Sequence, residues 1–342
     1  MSDELDILFR AEGALGHITL NRPSVLNALT LPMCQSVLAR LADWASDPKI
    51  ACVLIDAVPG RAFCSGGDIR AVHDWGRAGD PRALEFFAAE YRMNAAIGRF
   101  PKSYVALLDG IVMGGGAGIS VHGKYRVATE NALFAMPETG IGFFTDVGGG
   151  YFLSRCPGAT GMYLGLTGAR LRAADLLYCG LATHYVPSGR LSAIAPRLAG
   201  GEIAEMVLAA LSSGPESASL ATRRDAVDRV FSAPSVDEIF VRLTREGDWG
   251  ENIARLLSRC SPTSLRIVHR QLREGAVLDL PGCLRMEFGI VREILKGHDF
   301  YEGVRAALID KDHTPHWRPA KIEEVTAEYI ERHFRAVTDF EP

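Results

Sequence analysis

Tyr104-Val105-Ala106-Leu107-Leu108 leads, after a short connection, into Met113-Gly114-Gly115-Gly116-Ala117-Gly118, and this stretch decides how the chain is read. The first five residues read as a strand, and the glycines read as the opening of a helix. Glycine at such a junction lets a ligand approach the main chain and leaves amide N–H groups without partners. Those donors suit an anion, either a phosphate or a carbonyl oxygen that gains negative charge during reaction. Close packing of the helix is the other reading of the same glycines. A dinucleotide fingerprint is excluded, because the third glycine would fall on Ile119 or Val121, and no Gly-x4-Gly-Lys-Ser/Thr occurs.

A second glycine turn, Ala62-Phe63-Cys64-Ser65-Gly66-Gly67-Asp68-Ile69, follows the apolar run Ala51–Ala57 and enters a helix near Asp68. One such turn is ordinary. Two, each after a strand, can offer two N–H donors to one oxygen, which is the least an oxyanion hole needs.

Outward from these turns the elements alternate. Ile7–Phe9 and His17–Leu20 read as paired strands about a turn at Ala11–Ala14, and Tyr125–Ala128 as another strand. Leu31–Ser46 and Pro81–Gly98 read as helices, the first capped by Thr30 with Pro32 in its first turn. Strands separated by helices define an α/β core, assigned here to residues 1–200. From 201 to 342 the pattern is helical, with amphipathic segments Glu202–Leu211, Val236–Thr244, Asn252–Arg259, Thr263–Glu274 and Gly282–Leu295.

Between Ala135 and Gly150 lie two carboxylates, Glu138 and Asp146, in a glycine-rich apolar run without a basic residue. Burial would raise their pKa values toward the range useful for general acid or base work. An N-capping role for Asp146 and a distant arginine for Glu138 are the structural alternatives. Glu90 lies on one helical stripe with Phe86, Met93 and Ile97, so it faces a pocket or pairs with a base; the pattern favours pairing. A serine nucleophile elbow is excluded by His122, and Cys64 reads as a small buried thiol. His313 and His316 sit in a charged segment and read as solvated, so no metal site is expected.

The 342 residues carry 37 basic and 41 acidic side chains, which gives no electrostatic case for nucleic acid. No apolar run reaches the roughly 18 residues of a membrane span. Seven cysteines, no two closer than twelve positions, suggest free thiols in a reducing compartment. With an acidic N-terminal stretch, Met1–Arg10, that lacks a targeting pattern, this leads to the expectation of a cytoplasmic protein.

Thr19–Pro23 with Leu26–Leu29, Ala62–Ile69 and Gly114–Gly118, in that order, resemble the crotonase (enoyl-CoA hydratase/isomerase) superfamily over residues 5–200. The resemblance implies a ββα spiral core and a coenzyme A thioester as the partner, with no separate cofactor. It places the thioester oxygen on the Gly67 and Gly115 amides, Ala62 and Cys64 beside the adenine, Gly66 along the bound substrate, and Arg22 by the CoA phosphates. It also implies a homo-oligomer, a trimer or a multiple of one. Hydratases of the family use two glutamates; here the first position is Gly118 and the second is Glu138. Glu138 with Asp146, the segment Ser261–Leu265 and Asp299–Asp312 instead resemble the 3-hydroxyisobutyryl-CoA hydrolase branch. That branch implies hydrolysis of a short 3-hydroxyacyl-CoA in valine breakdown, with Glu90, Gly115, Glu138 and Asp146 lining the acyl pocket. Thr145 departs from it, standing where the hydrolases place proline. An atypical hydratase or isomerase, or a non-catalytic acyl-CoA-binding protein, are the alternative readings.

Overall fold

The computed structural model describes residues 5–342; Met1–Glu4, the start of the acidic stretch, lie outside the described residues. Nine strands are present among them: β1 (Ile7–Glu12), β2 (Leu15–Leu20), β3 (Cys52–Ala57), β4 (Ala62–Cys64), β5 (Ser103–Leu108), β6 (Ile111–Met113), β7 (Tyr125–Ala128), β8 (Leu133–Ala135) and β9 (His184–Tyr185). They form a six-stranded sheet in the order β1-β2-β3-β5-β7-β9 and a three-stranded sheet in the order β4-β6-β8. β1 and β2 are an antiparallel hairpin; from β2 to β9 the large sheet is parallel. Parallel strands are covered on both faces and so read as continuous apolar runs. Val53, Ile55, Tyr104 and Ala106 are buried on one face, and Cys52, Leu54, Val105 and Leu107 on the other.

The chain forms two compact units. The first runs up to Gly67 and takes in Arg92–Phe134 and Arg170–Ser219. Its core packs Leu54, Val105, Leu107 and Val127 against Ile194, Leu198, Val207 and Leu208 of the helices Ile194–Ala199 and Ala204–Leu211. The helix Leu31–Ser46 begins as expected, with the Thr30 hydroxyl accepting from the Met33 amide at 3.3 Å.

The second unit comprises Asp68–Tyr91, Ala135–Ala169 and Leu220–Pro342. It is predominantly helical. The helix Pro262–Gly275 is capped by Ser261, and the helix Leu280–Ile294 by Asp279, each through a side-chain oxygen that accepts an N–H three residues on. Both carry proline at the start, where a missing N–H costs nothing.

Candidate active site

In the first unit the two glycine turns meet. β4 and β6 run parallel, pairing Cys64 with Val112, so the turns that follow them leave the sheet side by side. Gly66 adopts φ +118°, and a methyl group on it would lie 3.6 Å from the Gly115 nitrogen. Gly114, at φ 49° and ψ −120°, takes a conformation closed to other residues and starts the helix Gly115–Val121. A methyl at Gly116 would lie 2.2 Å from the Cys64 carbonyl oxygen, so backbone meets backbone there. Among the described residues, the N–H groups of Gly67 and Gly115 have no hydrogen-bond acceptor. They are open donors of the kind a carbonyl oxygen requires.

Ala62 and Cys64 are buried in β4, and the Ala62 carbonyl accepts from Asn27 Nδ2 at 2.9 Å. Arg22 donates from Nη1 to the Ala28 carbonyl at 2.6 Å and lies 3.3 Å from Asp6. Asn94 is fully buried, and neither polar atom of its amide has a hydrogen-bond partner among the described residues.

The second unit gathers acids. Glu138 opens the 3-10 turn Glu138–Ile141, and its backbone carbonyl accepts from Phe143 at 3.0 Å. That turn rests on the C-terminal segments: Ser261 N–H donates to the Thr139 carbonyl at 3.1 Å, and Gly303 passes so close to Ile141 that a methyl would lie 2.2 Å from its carbonyl oxygen. Asp146 follows in an irregular stretch where Val147 has φ 54°. For a β-branched residue that is a strained conformation, and it persists only where the surroundings impose it. The Tyr91 hydroxyl donates to Asp146 Oδ2 at 3.0 Å.

Glu90, Glu138 and Asp146 are all buried, and among the described residues the base expected opposite Glu90 is not there. Its electrostatic neighbours are Asp146 and Glu138, and its Oε1 has no hydrogen-bond partner among the described residues. The apolar stripe marked burial correctly but carried no information about what stood opposite. Burial is the main cause that holds Glu90 and Glu138 well above the usual carboxylate range, with the Asp146 charge adding to both. Asp146 is pushed up to about 7 by burial, against the lowering effect of the Tyr91 hydrogen bond. Oε2 of Glu138 also lacks a hydrogen-bond partner among the described residues. Buried polar atoms of this kind are rare outside strained or functional positions.

A fourth acid joins them that the sequence did not single out. Glu287, on the helix Leu280–Ile294, is completely buried and pushed up to about 8, first by burial and also by the Asp146 charge. It accepts from Gly148 N–H at 2.7 Å and Gly150 N–H at 2.9 Å. Its signal was present: Glu287 lies among Cys283, Leu284, Phe288 and Val291 on one apolar face, as Glu90 lies among its own. Thr145, the departure from the hydrolase pattern, is fully buried; its hydroxyl donates to Gln271 Oε1 at 3.2 Å and its carbonyl accepts Gln271 Nε2 at 2.7 Å. His313 and His316 are exposed.

A parallel sheet flanked by a three-stranded sheet, with glycine turns leaving adjacent parallel strands, defines a protein of the crotonase fold. A family model described as enoyl-CoA hydratase/isomerase matches residues 15–334, and the chain belongs to that family. A crystal structure of a carnitinyl-CoA dehydratase from Mycobacterium thermoresistibile is similar at a TM-score of 0.94 and 38% identity, covering 98% of each chain. An enoyl-CoA hydratase from Rhodobacter sphaeroides is similar at 0.92 and 37%, over 97% of this chain and 98% of that one. Among curated relatives, the mitochondrial 3-hydroxyisobutyryl-CoA hydrolase of Xenopus tropicalis is 47% identical over 97% of this chain and 89% of its own length. The human protein of the same name is 43% identical over 97% and 89%. These names overturn the expectation of a cytoplasmic location, since the relatives are mitochondrial. Buried free thiols and a near-neutral charge fit any reducing compartment and never distinguished one from another.

Proposed function

We propose that this chain hydrolyses 3-hydroxyisobutyryl-CoA, a short 3-hydroxyacyl thioester of valine breakdown, to 3-hydroxyisobutyrate and CoA. The observation that carries the reading is the buried pair Glu138 and Asp146, retained where the other hydratase acid is replaced by Gly118. The names of the curated relatives support the same reaction.

The chemistry follows from the groups. Water addition to an enoyl double bond uses two acids, and Gly118 has no side chain to serve as one of them. Thioester cleavage needs a nucleophile at the carbonyl carbon, donors for the oxyanion and a proton for the departing thiolate. Gly67 and Gly115 supply the donors, each worth roughly 3 kcal/mol in comparable sites. Burial favours the protonated form of Glu138, so it is the fraction that has released its proton to solvent that attacks the carbonyl carbon, or takes a proton from the water that attacks it. As the C–S bond breaks, the electron pair leaves on sulfur and Asp146 delivers a proton to it. An acid with a pKa of about 7 still holds that proton near neutrality and releases it readily. Glu90 lines the acyl group, while Ala62, Cys64, Gly66 and Arg22 serve the CoA moiety.

The structures titled as a dehydratase and a hydratase favour a second reading, in which Asp146 replaces the missing acid in hydration. One assay separates the two. Thiol release from 3-hydroxyisobutyryl-CoA, largely lost in a folded Glu138→Gln variant, supports hydrolysis; efficient hydration of crotonyl-CoA with the thioester left intact overturns it. A single turnover in ¹⁸O-water then tests the nucleophilic role of Glu138: a product without solvent label comes from a Glu138 anhydride that water opens at the Glu138 carbonyl.

A further inference from the structure

We infer that Glu287 is a positioning residue for the reaction, clamping the Asp146 loop through two glycine amides. This inference rests on the hydrolytic reading of Asp146 given above.

The stretch from Thr145 to Gly150 has little reason to hold its own shape. Val147 and Gly148 both have positive φ, at 54° and 83°, and three of the six residues are glycine. A β-branched residue in that region is strained, and the surroundings must offset the strain. Within the loop, the Asp146 amide bonds Phe144 O at 2.9 Å, and Gly149 N–H bonds Asp146 O at 2.8 Å. Further anchors come from two distant helices, Pro262–Gly275 and Leu280–Ile294. Glu287 Oε2 accepts Gly148 N–H at 2.7 Å, and Oε1 accepts both Gly150 N–H at 2.9 Å and Gln271 Nε2 at 3.0 Å. The same Gln271 nitrogen holds the Thr145 carbonyl at 2.7 Å. Residues on both sides of Asp146 are therefore fixed to one carboxyl group and the amide beside it.

Three N–H donors point at the two Glu287 oxygens, the pattern of a group that acts as an acceptor on both sides. A protonated carboxyl group still presents oxygen on both sides, which an amide does not. A glutamine at 287 would turn its NH2 toward one of the glycine amides, donor against donor, and leave that N–H buried without a partner. Leaving a carboxyl group in an apolar interior within reach of the Asp146 charge is costly. That cost is understandable if the group fixes the backbone that carries Asp146. A displacement of about 1 Å at a reacting group is enough to lower a rate about 100-fold.

The test compares the wild type with Glu287→Gln and, as a milder change, Gln271→Met. The assay is thiol release from 3-hydroxyisobutyryl-CoA, with rates referred to the folded fraction of each protein. Glu287→Gln is expected to lower kcat about 100-fold with KM within about twofold, because the loop moves while the binding groups stay. Amide hydrogen exchange is expected to quicken at Gly148 and Gly150 and remain unchanged in the helix Leu31–Ser46. Gln271→Met is expected to show the same split to a lesser degree, and it is the deciding variant if Glu287→Gln does not fold. A kcat equal to wild type in the folded variant, or a rise in KM with kcat preserved, overturns the clamp. A wild-type protein that releases no thiol overturns the hydrolytic reading instead, so the two failures are distinct.

Discussion

Tyr91 Oη donates a 3.0 Å hydrogen bond to Asp146 Oδ2 across 55 residues of sequence, and both groups are buried. The hydroxyl lowers the Asp146 pKa, while burial raises it, the balance standing at about 7. The Tyr91 hydroxyl is itself held well above its usual range, chiefly by burial and by the Asp146 charge. It therefore remains protonated and acts as a fixed donor, never as the acid.

Tyr91→Phe removes that donor and little else. The ring keeps its contacts with Phe87, Phe288 and Phe340, at centroid distances of 6.1, 6.5 and 6.5 Å. Without the hydrogen bond, the Asp146 carboxylate loses stabilisation and its pKa rises. With Asp146 as the proton donor to the thiolate, the falling alkaline limb of kcat is expected to move up by about one pH unit, since bonds to charged groups are worth about 1.5–3 kcal/mol. A pH profile of thiol release checks it; a limb that stays in place removes Asp146 from the donor role.

Gly116 packs against β4 beside Gly115, one of the two proposed oxyanion donors. In Gly116→Ala the new methyl would meet the Cys64 carbonyl oxygen at 2.2 Å, so the helix Gly115–Val121 and β4 must separate. Overpacking of this kind costs about 1–3 kcal/mol. The urea midpoint is expected to fall accordingly, with kcat down on the order of tenfold as the Gly115 amide shifts. Gly189→Ala, with open space at that position and no positive φ, is the control and is expected to change stability by less than about 0.5 kcal/mol.

Ser261 serves three partners. Its hydroxyl accepts from the Ser264 amide at 3.1 Å and donates to Asp299 Oδ2 at 2.6 Å, while its own N–H holds the Thr139 carbonyl. Ser261→Ala loses the cap and leaves Asp299 with the Arg318 amide alone among these bonds. A loss of about 1–2 kcal/mol is expected in chemical denaturation. A change within error would mean that the Thr139 bond alone holds this junction.

What was legible in the sequence was local. The glycine turns, the Thr30 cap, and the burial of Glu90, Glu138 and Asp146 all rest on contacts or periodicities within a few residues. The three-residue strands β4 and β6 that lead into those turns are too short to show a period, and in the sequence they read as part of the connections after β3 and β5. The resemblance of Ser261–Leu265 and Asp299–Asp312 to one branch of the family also has a physical basis. Ser261, Asp299 and Gly303 brace the turn that carries Glu138, and a methyl on Gly142 would lie 2.2 Å from the Asp299 carbonyl oxygen. What was not legible was pairing at long range. Glu287 meets Gly148 across 139 positions, and Gln271 meets Thr145 across 126, so no spacing rule connects them. The missing base opposite Glu90 has the same origin: a helical stripe shows that a side chain is buried, and only the packed fold shows against what.

The buried acids also set how stability depends on pH. An unfolded aspartate titrates near 4, whereas Asp146 in the fold is raised to about 7. Between those values the folded chain keeps a proton that the unfolded chain releases, so raising the pH favours unfolding. The stability associated with the protonated Asp146 is fully present below about pH 4 and is lost as the pH climbs to about 7. Glu287, raised to about 8, extends the same loss a further unit. Each such proton corresponds to about 1.4 kcal/mol per pH unit within its window. Asp146→Asn preserves the shape and an oxygen for Tyr91 but removes one titration, and it also relieves Glu90 and Glu138, which the Asp146 charge pushes up. The variant is therefore expected to lose less stability than wild type between pH 5 and pH 7.5, measured by urea unfolding of the unliganded protein. Equal losses in the two proteins would mean that Asp146 ionises in the fold at its ordinary pKa, and the account of it as a proton donor near neutrality would fail with it.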